Sequence, residues 1–387
     1  MKQTLVAFAL LAAPAQAQTC GGPFPDFLDG IRAEARALGH DPAATERFLQ
    51  GARIDDAVLR ADREQGHFQR DFLDFSRRLI SRNRLDNGAW HARQYAPTFD
   101  DIEARWGVDR GVLLAFWAFE TDFGQVQGDF NTRDALLTLA HDCRRPDLFR
   151  PQVFAALTLY EQGDFDLDTT GAWAGEIGQV QMLPRDILEN GIDGDGDGHV
   201  TLKTSTPDAL MSGAAMLSSL GWRANEPWIV EIVVPATLDW AQTGLDQRKP
   251  VTEWQALGVT ARHGTLPMPQ AQTAVILPMG RDGPAFLAYP NFDVFFEWNQ
   301  SFTYVLTAAY FATRLQGAPV YDAGNPDPGL SGEDIQRLQQ RLTDLGHDVG
   351  GIDGILGAKT RAAVRAEQLR LGLPADAWPT RALLDRL

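Results

Sequence analysis

The sequence predicts a mainly helical (α+β) protein in two parts. A large helical body carries a small strand-bearing insertion, and a small module of three helices follows it. Three observations support this. Apolar residues recur at helical spacing through most of the chain up to residue 315. Between 228 and 288 that spacing gives way to short β-branched runs. A stretch rich in Pro, Gly and Asp at 321–330 then separates the body from 331–387, which has an apolar pattern of its own.

The first seventeen residues read as a secretory signal. Lys2 is the charged start, 5–13 the apolar stretch, and Ala15-Gln16-Ala17 a small-x-small cleavage site. The apolar stretch is too short to span a membrane, and Ala17-Gln18-Thr19 is a poor context for a lipid anchor at Cys20. The expected product is a soluble exported protein in the periplasm. The chain has two cysteines, Cys20 and Cys143. An oxidising compartment favours their pairing, which would tie the mature N-terminus to the body.

Within the body, Phe27, Leu28, Ile31, Ala35 and Leu38 mark a first helix, with Gly39 as its stop. Phe68, Phe72, Phe75 and Leu79 repeat the pattern, and 95–106 is a further amphipathic segment. Asp109 is placed to cap the apolar helix that carries Glu120, with Gly124 as its terminator. Helices are also expected at 134–141, 147–161, 183–190, 206–220 and 303–315. The strand signals are Ile229-Val230-Glu231-Ile232-Val233-Val234 and Thr273-Ala274-Val275-Ile276-Leu277. In the last segment Ser331 caps a helix with Ile335, Leu338, Leu342 and Leu345 on one face. A loop at 350–357 and helices near Ala358 and Pro379 complete the module, which is close to the smallest size that buries an independent core.

The 387 residues are 44% hydrophobic, with 10 Trp and 21 Phe, so a sizeable core is expected. The formal net charge is −16 and no basic stripe is present, which argues against nucleic acid as a partner. An acidic protein would have to recognise an anionic polymer by hydrogen bonds and stacking rather than by charge.

Glu120 is the candidate acid. It follows Leu113-Leu114-Ala115-Phe116-Trp117-Ala118-Phe119 and precedes Thr121-Asp122-Phe123-Gly124. A carboxyl at the end of a bulky apolar helix is poorly solvated, and this raises its pKa toward that of a general acid at neutral pH. About fifty residues on comes Gly171-Ala172-Trp173-Ala174-Gly175-Glu176-Ile177-Gly178-Gln179-Val180-Gln181-Met182-Leu183-Pro184. These two segments, in this order and at this separation, resemble the membrane-bound lytic murein transglycosylase B family, over most of the chain from about 24 to 315. In 331–387, the string L-Q-x-x-L-x-x-L-G followed by I-D-G-x-L-G-x-x-T-x-x-A-V resembles a three-helix peptidoglycan-binding domain. The only notable departure there is Glu367-Gln368 in place of an aromatic-Gln pair.

The resemblance implies a lysozyme-like catalytic domain over 18–320, a linker at 321–330 and a wall-binding domain at 331–387. It implies cleavage of the β-1,4 bond between N-acetylmuramic acid and N-acetylglucosamine with one glutamate, Glu120, as acid and then base. The product would be a 1,6-anhydro end, and no cofactor would be required. Gln181 is the expected substrate-binding glutamine. Trp298-Asn299-Gln300-Ser301-Phe302-Thr303-Tyr304 matches the segment whose asparagine, serine and tyrosine line the cleft. Asn299, Ser301 and Tyr304 are carried over individually, and Trp298 could stack on a sugar or simply fill the core. Arg144 and Arg145 match a pair that faces the muramic peptide or carboxylate, with a salt bridge as the competing reading. Ala172 stands where many members have serine, and Gln179, a further candidate substrate contact, where some have tyrosine; both leave open how Glu120 is oriented. Glu176, a second carboxylate within the motif, reads as a surface charge, with an electrostatic stabiliser as the alternative.

Asp193, Asp195 and Asp197 occupy positions 1, 3 and 5 of an EF-hand-like loop, and members of the family hold a metal ion in a similar one. His199, through its carbonyl, and Thr201 are the remaining candidate ligands. Thr204 stands at position 12 where a bidentate Glu is usual, so a structural Ca2+ would bind weakly unless Asp208 bends in. Peptidoglycan is the expected partner, other cell-wall enzymes are further candidates, and a monomer is expected. Two rival readings share these residues. One is a muramidase that hydrolyses the same bond, with Asp122 or Glu176 assisting Glu120. The other is a wall-binding scaffold with a degenerate site.

Overall fold

The computed structural model describes residues 20–64 and 70–387. The expected signal segment and Phe68 lie outside the described residues.

Helix α1, Phe24–Leu38, buries Phe27, Leu28, Ile31 and Ala35 and stops at Gly39, whose φ of 91° suits glycine. The region up to residue 95 then divides into α2 (Pro42–Leu49), α3 (Asp56–Glu64), α4 (Phe72–Leu79) and α5 (Arg82–Gln94). Side chains of Asp41, Asp71 and Ser81 cap α2, α4 and α5. Helix α6, Ala96–Trp106, ends at Gly107 in the left-handed region.

Helix α7, Arg110–Thr121, is the axis of the body. Asp109 caps it by accepting the Gly111 N–H at 2.7 Å. All residues from Gly111 to Ala118 are buried, as expected of a helix that is apolar all round. Around it pack α5, α6, α11 (Thr206–Ser219) and α14 (Phe302–Leu315). The approach of α14 is close enough that a Cβ on Gly111 would lie 2.9 Å from the Ala312 carbonyl. The helix does not run to Gly124. It ends with Asp122, Phe123 and Gly124 in succession at φ 51°, 61° and 83°, so two non-glycine residues share the left-handed turn.

Helices α8 (Thr132–His141) and α9 (Pro146–Gln162) pack together behind this turn, with α10 (Pro184–Asn190) against α9. A two-stranded ribbon, β1 (Phe130–Asn131) with β2 (Thr170–Gly171), is antiparallel and precedes the second motif. The disulfide Cys20–Cys143 joins the segment before α1 to the turn between α8 and α9, with Cα atoms 5.2 Å apart.

The insertion is a five-stranded antiparallel sheet. Its strands are β3 (Ile229–Val233), β4 (Arg248–Pro250), β5 (Thr260–Ala261), β6 (Gln272–Ile276) and β7 (Phe286–Ala288), in the spatial order β4-β6-β7-β3-β5. With the short α12 (Val251–Ala256) it closes a separate core around Trp254, Val275, Leu287 and Tyr289. The chain then returns through α13 (Pro290–Trp298) to α14.

The C-terminal module holds α15 (Gly332–Asp344), α16 (Ala358–Arg370) and the single turn α17 (Arg381–Leu384) around Ile335, Leu338, Leu342, Val364 and Leu383. Ser331 caps α15 as expected. Gln339 braces the loop before α16 by donating to Asp353 Oδ1 and accepting the Gly354 N–H. The connector that composition reads as a linker does not run free. Tyr321 is buried, its hydroxyl is 2.7 Å from Ser76 Oγ, and Asn325 N–H donates to the Asp282 carbonyl. The module itself is docked by Arg365 on Asp246 and by Arg281 on Asp376.

Candidate active site

Glu120 lies in the last turn of α7, half-buried. Two donors converge on one of its oxygens. Tyr304 Oη donates to Oε1 at 2.5 Å from the first turn of α14, and Trp298 Nε1 donates to the same atom at 3.0 Å from the end of α13. Oε2 carries no hydrogen bond from the described residues. Burial pushes the Glu120 pKa up, and the two hydrogen bonds oppose this only in part. Tyr304 is held neutral: burial and the Glu120 charge push its pKa well above that of a free phenol, so it acts as a donor.

Trp298 is neither a free stacking platform nor plain core. Its ring stacks on Phe116 at 4.4 Å between centroids, and this fixes the N–H on the carboxyl. Asn299 and Ser301 build the turn that delivers Tyr304. Asn299 Oδ1 accepts the Ser301 N–H at 2.9 Å, and Ser301 Oγ caps α14 by accepting the Tyr304 N–H. The Ala172 position carries no hydroxyl to orient Glu120; the α13–α14 segment supplies that contact instead.

The second motif is locked onto the end of α7. Thr121 Oγ1 donates to the Gln179 carbonyl at 2.6 Å and accepts the Gly124 N–H at 2.9 Å. Gln179 is buried, with its amide oxygen bonded by Thr206 Oγ1. It packs so tightly that a Cβ on Gly124 would lie 2.8 Å from that oxygen. Gln181 has a left-handed backbone, φ 53°, and its side-chain amide donates to the Gly178 carbonyl at 2.7 Å. The glutamine expected to reach for substrate thus also braces its own loop.

Glu176 is not a surface charge. It is half-buried, and its Oε2 is sealed from solvent without a hydrogen-bond partner. Burial first, and the charge of Glu120 as well, push its pKa up, while Arg145 pulls the other way. A Glu between Gly175 and Ile177 in a turn looks solvated in the sequence, and only the fold brings it near Glu120.

Arg144 and Arg145, between α8 and α9, are both engaged. They hold Asp62 of α3, which is 1% exposed; Arg144 Nη1 donates to its Oδ2 at 2.5 Å, and Arg145 bonds its Oδ1. Burial alone would raise the Asp62 pKa, but the two guanidinium groups hold it below the usual value. Arg145 Nε is left buried without an acceptor.

The acidic loop presents Asp193, Asp195 and Asp197, all exposed, with one oxygen from each within 4.8 Å of the others. This set fits a hard cation. Asp193 also accepts the Gly196 and Gly198 N–H groups, which curls the loop around its carboxylate. The His199 ring turns away to Asp164 at 2.8 Å, and the Thr201 N–H bonds Asp208. Asp208 does not bend in as a ligand. It is buried, and its oxygens are taken by the N–H groups of Gly194 and Thr201 and by the Ser205 hydroxyl, so it buttresses the loop from behind.

Two known domains match the chain. The Transglycosylase SLT domain matches residues 23–313, and the Putative peptidoglycan binding domain matches 331–387. SltB3 from Pseudomonas aeruginosa, in crystal structures with NAG-anhNAM-pentapeptide and with NAG-NAM-pentapeptide, is 37% identical with a TM-score of 0.87. In the first complex the match covers 95% of this chain and 99% of that one. Slt35 from Escherichia coli, in complex with calcium, has a TM-score of 0.63 at 24% identity over 77% of this chain and 96% of that one, and shares the fold. The membrane-bound lytic murein transglycosylase B of Escherichia coli K12 is 25% identical over 240 residues. That match spans 61% of this chain and 64% of the relative's length. The domain matched over 23–313 contains α7, the second motif and the α13–α14 turn, so the carboxyl described above lies inside it: the chain belongs to the SLT-domain transglycosylase family and carries a C-terminal peptidoglycan-binding domain.

Proposed function

We propose that the protein is a lytic transglycosylase of peptidoglycan, cutting the β-1,4 bond between N-acetylmuramic acid and N-acetylglucosamine. The observation that carries this reading is Glu120, a desolvated carboxyl with Trp298 and Tyr304 on one oxygen and the other oxygen free. Protonated Glu120 gives its proton to the glycosidic oxygen as that bond breaks. The N-acetyl group of the muramic sugar stabilises the cationic carbon left behind. The Glu120 carboxylate then takes the proton of the same sugar's 6-hydroxyl, whose oxygen bonds that carbon and closes the 1,6-anhydro ring. Glu120 ends protonated and no water is consumed. Trp298 and Tyr304 hold the carboxyl in one orientation through both steps.

SltB3 supports the substrate class, since it binds an anhydro-muramyl and a muramyl pentapeptide fragment. The matched peptidoglycan-binding domain supports the same polymer as partner. No helix among the described residues is long and apolar enough to cross a membrane. The signal-like N-terminus and the disulfide support a site of action outside the cytoplasm, in the periplasm. Residues 18–320 and 331–387 are the two functional units of this reading, with the protein acting as a monomer.

Glu176 favours a second reading, hydrolysis, because it sets a second carboxyl in the site. Mass spectrometry of fragments from purified peptidoglycan separates the two. Anhydro-muropeptides are expected; reducing-end fragments, heavier by one water, would replace the transglycosylase with a muramidase.

The acidic loop is proposed to hold a structural Ca2+ through Asp193, Asp195 and Asp197, with the His199 carbonyl and Thr201 alongside. Bound to the folded state alone, calcium at 100 times its dissociation constant adds about 2.7 kcal/mol. Calcium chloride at millimolar levels should raise the melting temperature of the native protein and leave that of Asp195→Asn unchanged. An equal response of both proteins would remove the site.

A further inference from the structure

Helix α16 places Arg361 against the α13–α14 turn. Its guanidinium lies 4.7 Å from the centroid of Phe302 and 5.6 Å from that of Trp378. Nη2 donates to the Pro278 carbonyl at 2.8 Å, and Nε is sealed without an acceptor. The other arginines of this seam, Arg365 and Arg281, each bond a carboxylate, as docking residues usually do. Arg361 has no carboxylate contact; it spends its charge on an aromatic face. Burial lowers its pKa to about 10, a cost opposed only by Asp376 at longer range.

Phe302 is the first residue of α14. It stands between the capping Ser301 and Tyr304, the donor to Glu120. Cavities of about 420 and 280 Å³ lie on the two sides of the Arg361–Phe302 contact, and both residues line each of them. Phe302 otherwise meets Phe296, 6.3 Å away between ring centroids, so removing the guanidinium would leave the module side of its ring facing the two cavities and loosen the first turn of α14.

We propose that Arg361 of the wall-binding module is a positioning residue for the reaction: it clamps Phe302, and through the first turn of α14 keeps the Tyr304 hydroxyl on Glu120. A desolvated cation over an aromatic face is among the stronger contacts of its kind and restrains the ring it covers. The module thereby becomes a structural part of the catalytic machinery as well as a wall anchor. The inference rests on Glu120 being the acid of the proposed reaction.

The test uses the full chain with Arg361→Met, Arg361→Lys and Gly280→Ala. Gly280 has φ 77°, and a Cβ there would lie 2.7 Å from the Trp378 Cβ. Its alanine variant therefore displaces the module, and Arg361 with it, without changing the identity of Arg361 or of any residue around Glu120. Turnover of a soluble, uncrosslinked glycan fragment is followed against pH. Arg361→Met and Gly280→Ala should lower kcat roughly tenfold, a loss expected for a misplaced catalytic hydrogen bond, with KM little changed. Losing the Tyr304 bond raises the proton affinity of Glu120, so the basic limb of the profile should move to higher pH. The other charged groups facing Glu120 and Tyr304 are Glu176 and Arg84, and none of the variants touches them. Arg361→Lys keeps a cation over the ring and should recover part of kcat. Wild-type kcat and basic limb in both Arg361→Met and Gly280→Ala would overturn the clamp. If Arg361→Met fails to fold, Gly280→Ala alone decides. A wild-type protein that forms no anhydro product would defeat the reading of function itself, whereas variants matching an active wild type defeat only the clamp.

Discussion

Glu120→Gln should abolish cleavage of purified peptidoglycan, with a loss of about 10³-fold or more, because on the proposed mechanism one group serves both proton transfers. The amide keeps an oxygen to accept from Tyr304 and Trp298, so the fold and the α13–α14 contacts should survive. Wild-type activity should fall as pH rises through the raised pKa of Glu120, since the first step needs its proton. Stability carries the same signature. A carboxyl whose pKa is raised in the folded state contributes stability that is fully present below its unfolded pKa and lost as pH climbs through the folded one. Glu120→Gln lacks that term. The two proteins should melt together in acid, and the variant should melt higher than wild type at alkaline pH. Fragment release by the variant at a tenth of the wild-type rate or more would mean another group is the acid, and Glu176 would be the one to examine.

Replacing Cys20 and Cys143 by serine should cost about 2–5 kcal/mol of stability, the usual range for a native disulfide. The bridge closes 123 residues of chain, which include α1 to α8 and Glu120. Its surroundings depend on it. The Gly21 N–H bonds the His141 carbonyl at 2.7 Å, the His141 ring meets the Gly22 carbonyl, and Phe24 and Phe27 pack edge-on against that ring. Urea unfolding of the oxidised wild type and the double variant measures the difference. Equal midpoints and slopes would show that the N-terminal segment is held by packing alone.

What the sequence carried depended on whether a signal was local. The stop at Gly39, the cap at Asp109 and the cap at Ser331 are decided within a turn of backbone, and each was legible. So were the apolar run of α7 and the change from helical spacing to short β-branched runs in the insertion. Signals that need a distant partner were not legible. Nothing near Arg144 and Arg145 reveals that both would close on Asp62, more than 80 residues earlier. The resemblance implies Tyr304 in the lining of a cleft and leaves Trp298 on a sugar or in the core; only the packing of α13 and α14 along α7 makes them donors to Glu120 itself. The connector at 321–330 has the composition of a free linker, yet one buried tyrosine with three aromatic neighbours, Phe72, Phe286 and Tyr310, pins it. Composition averages over a window and is blind to such an anchor.

The convergence of both donors on Oε1 has a consequence for the order of events. A proton on Glu120 resides on Oε2, the oxygen left unbonded, and the same atom must later accept the proton of the 6-hydroxyl. On the proposed mechanism a single oxygen atom is thus used twice in each turnover, by two groups that crowd the same position. The departing sugar has to vacate that position before the hydroxyl can swing into it. Bond cleavage and ring closure are then separated in time by a movement of substrate, and the cation between them must outlast that movement while no water reaches it.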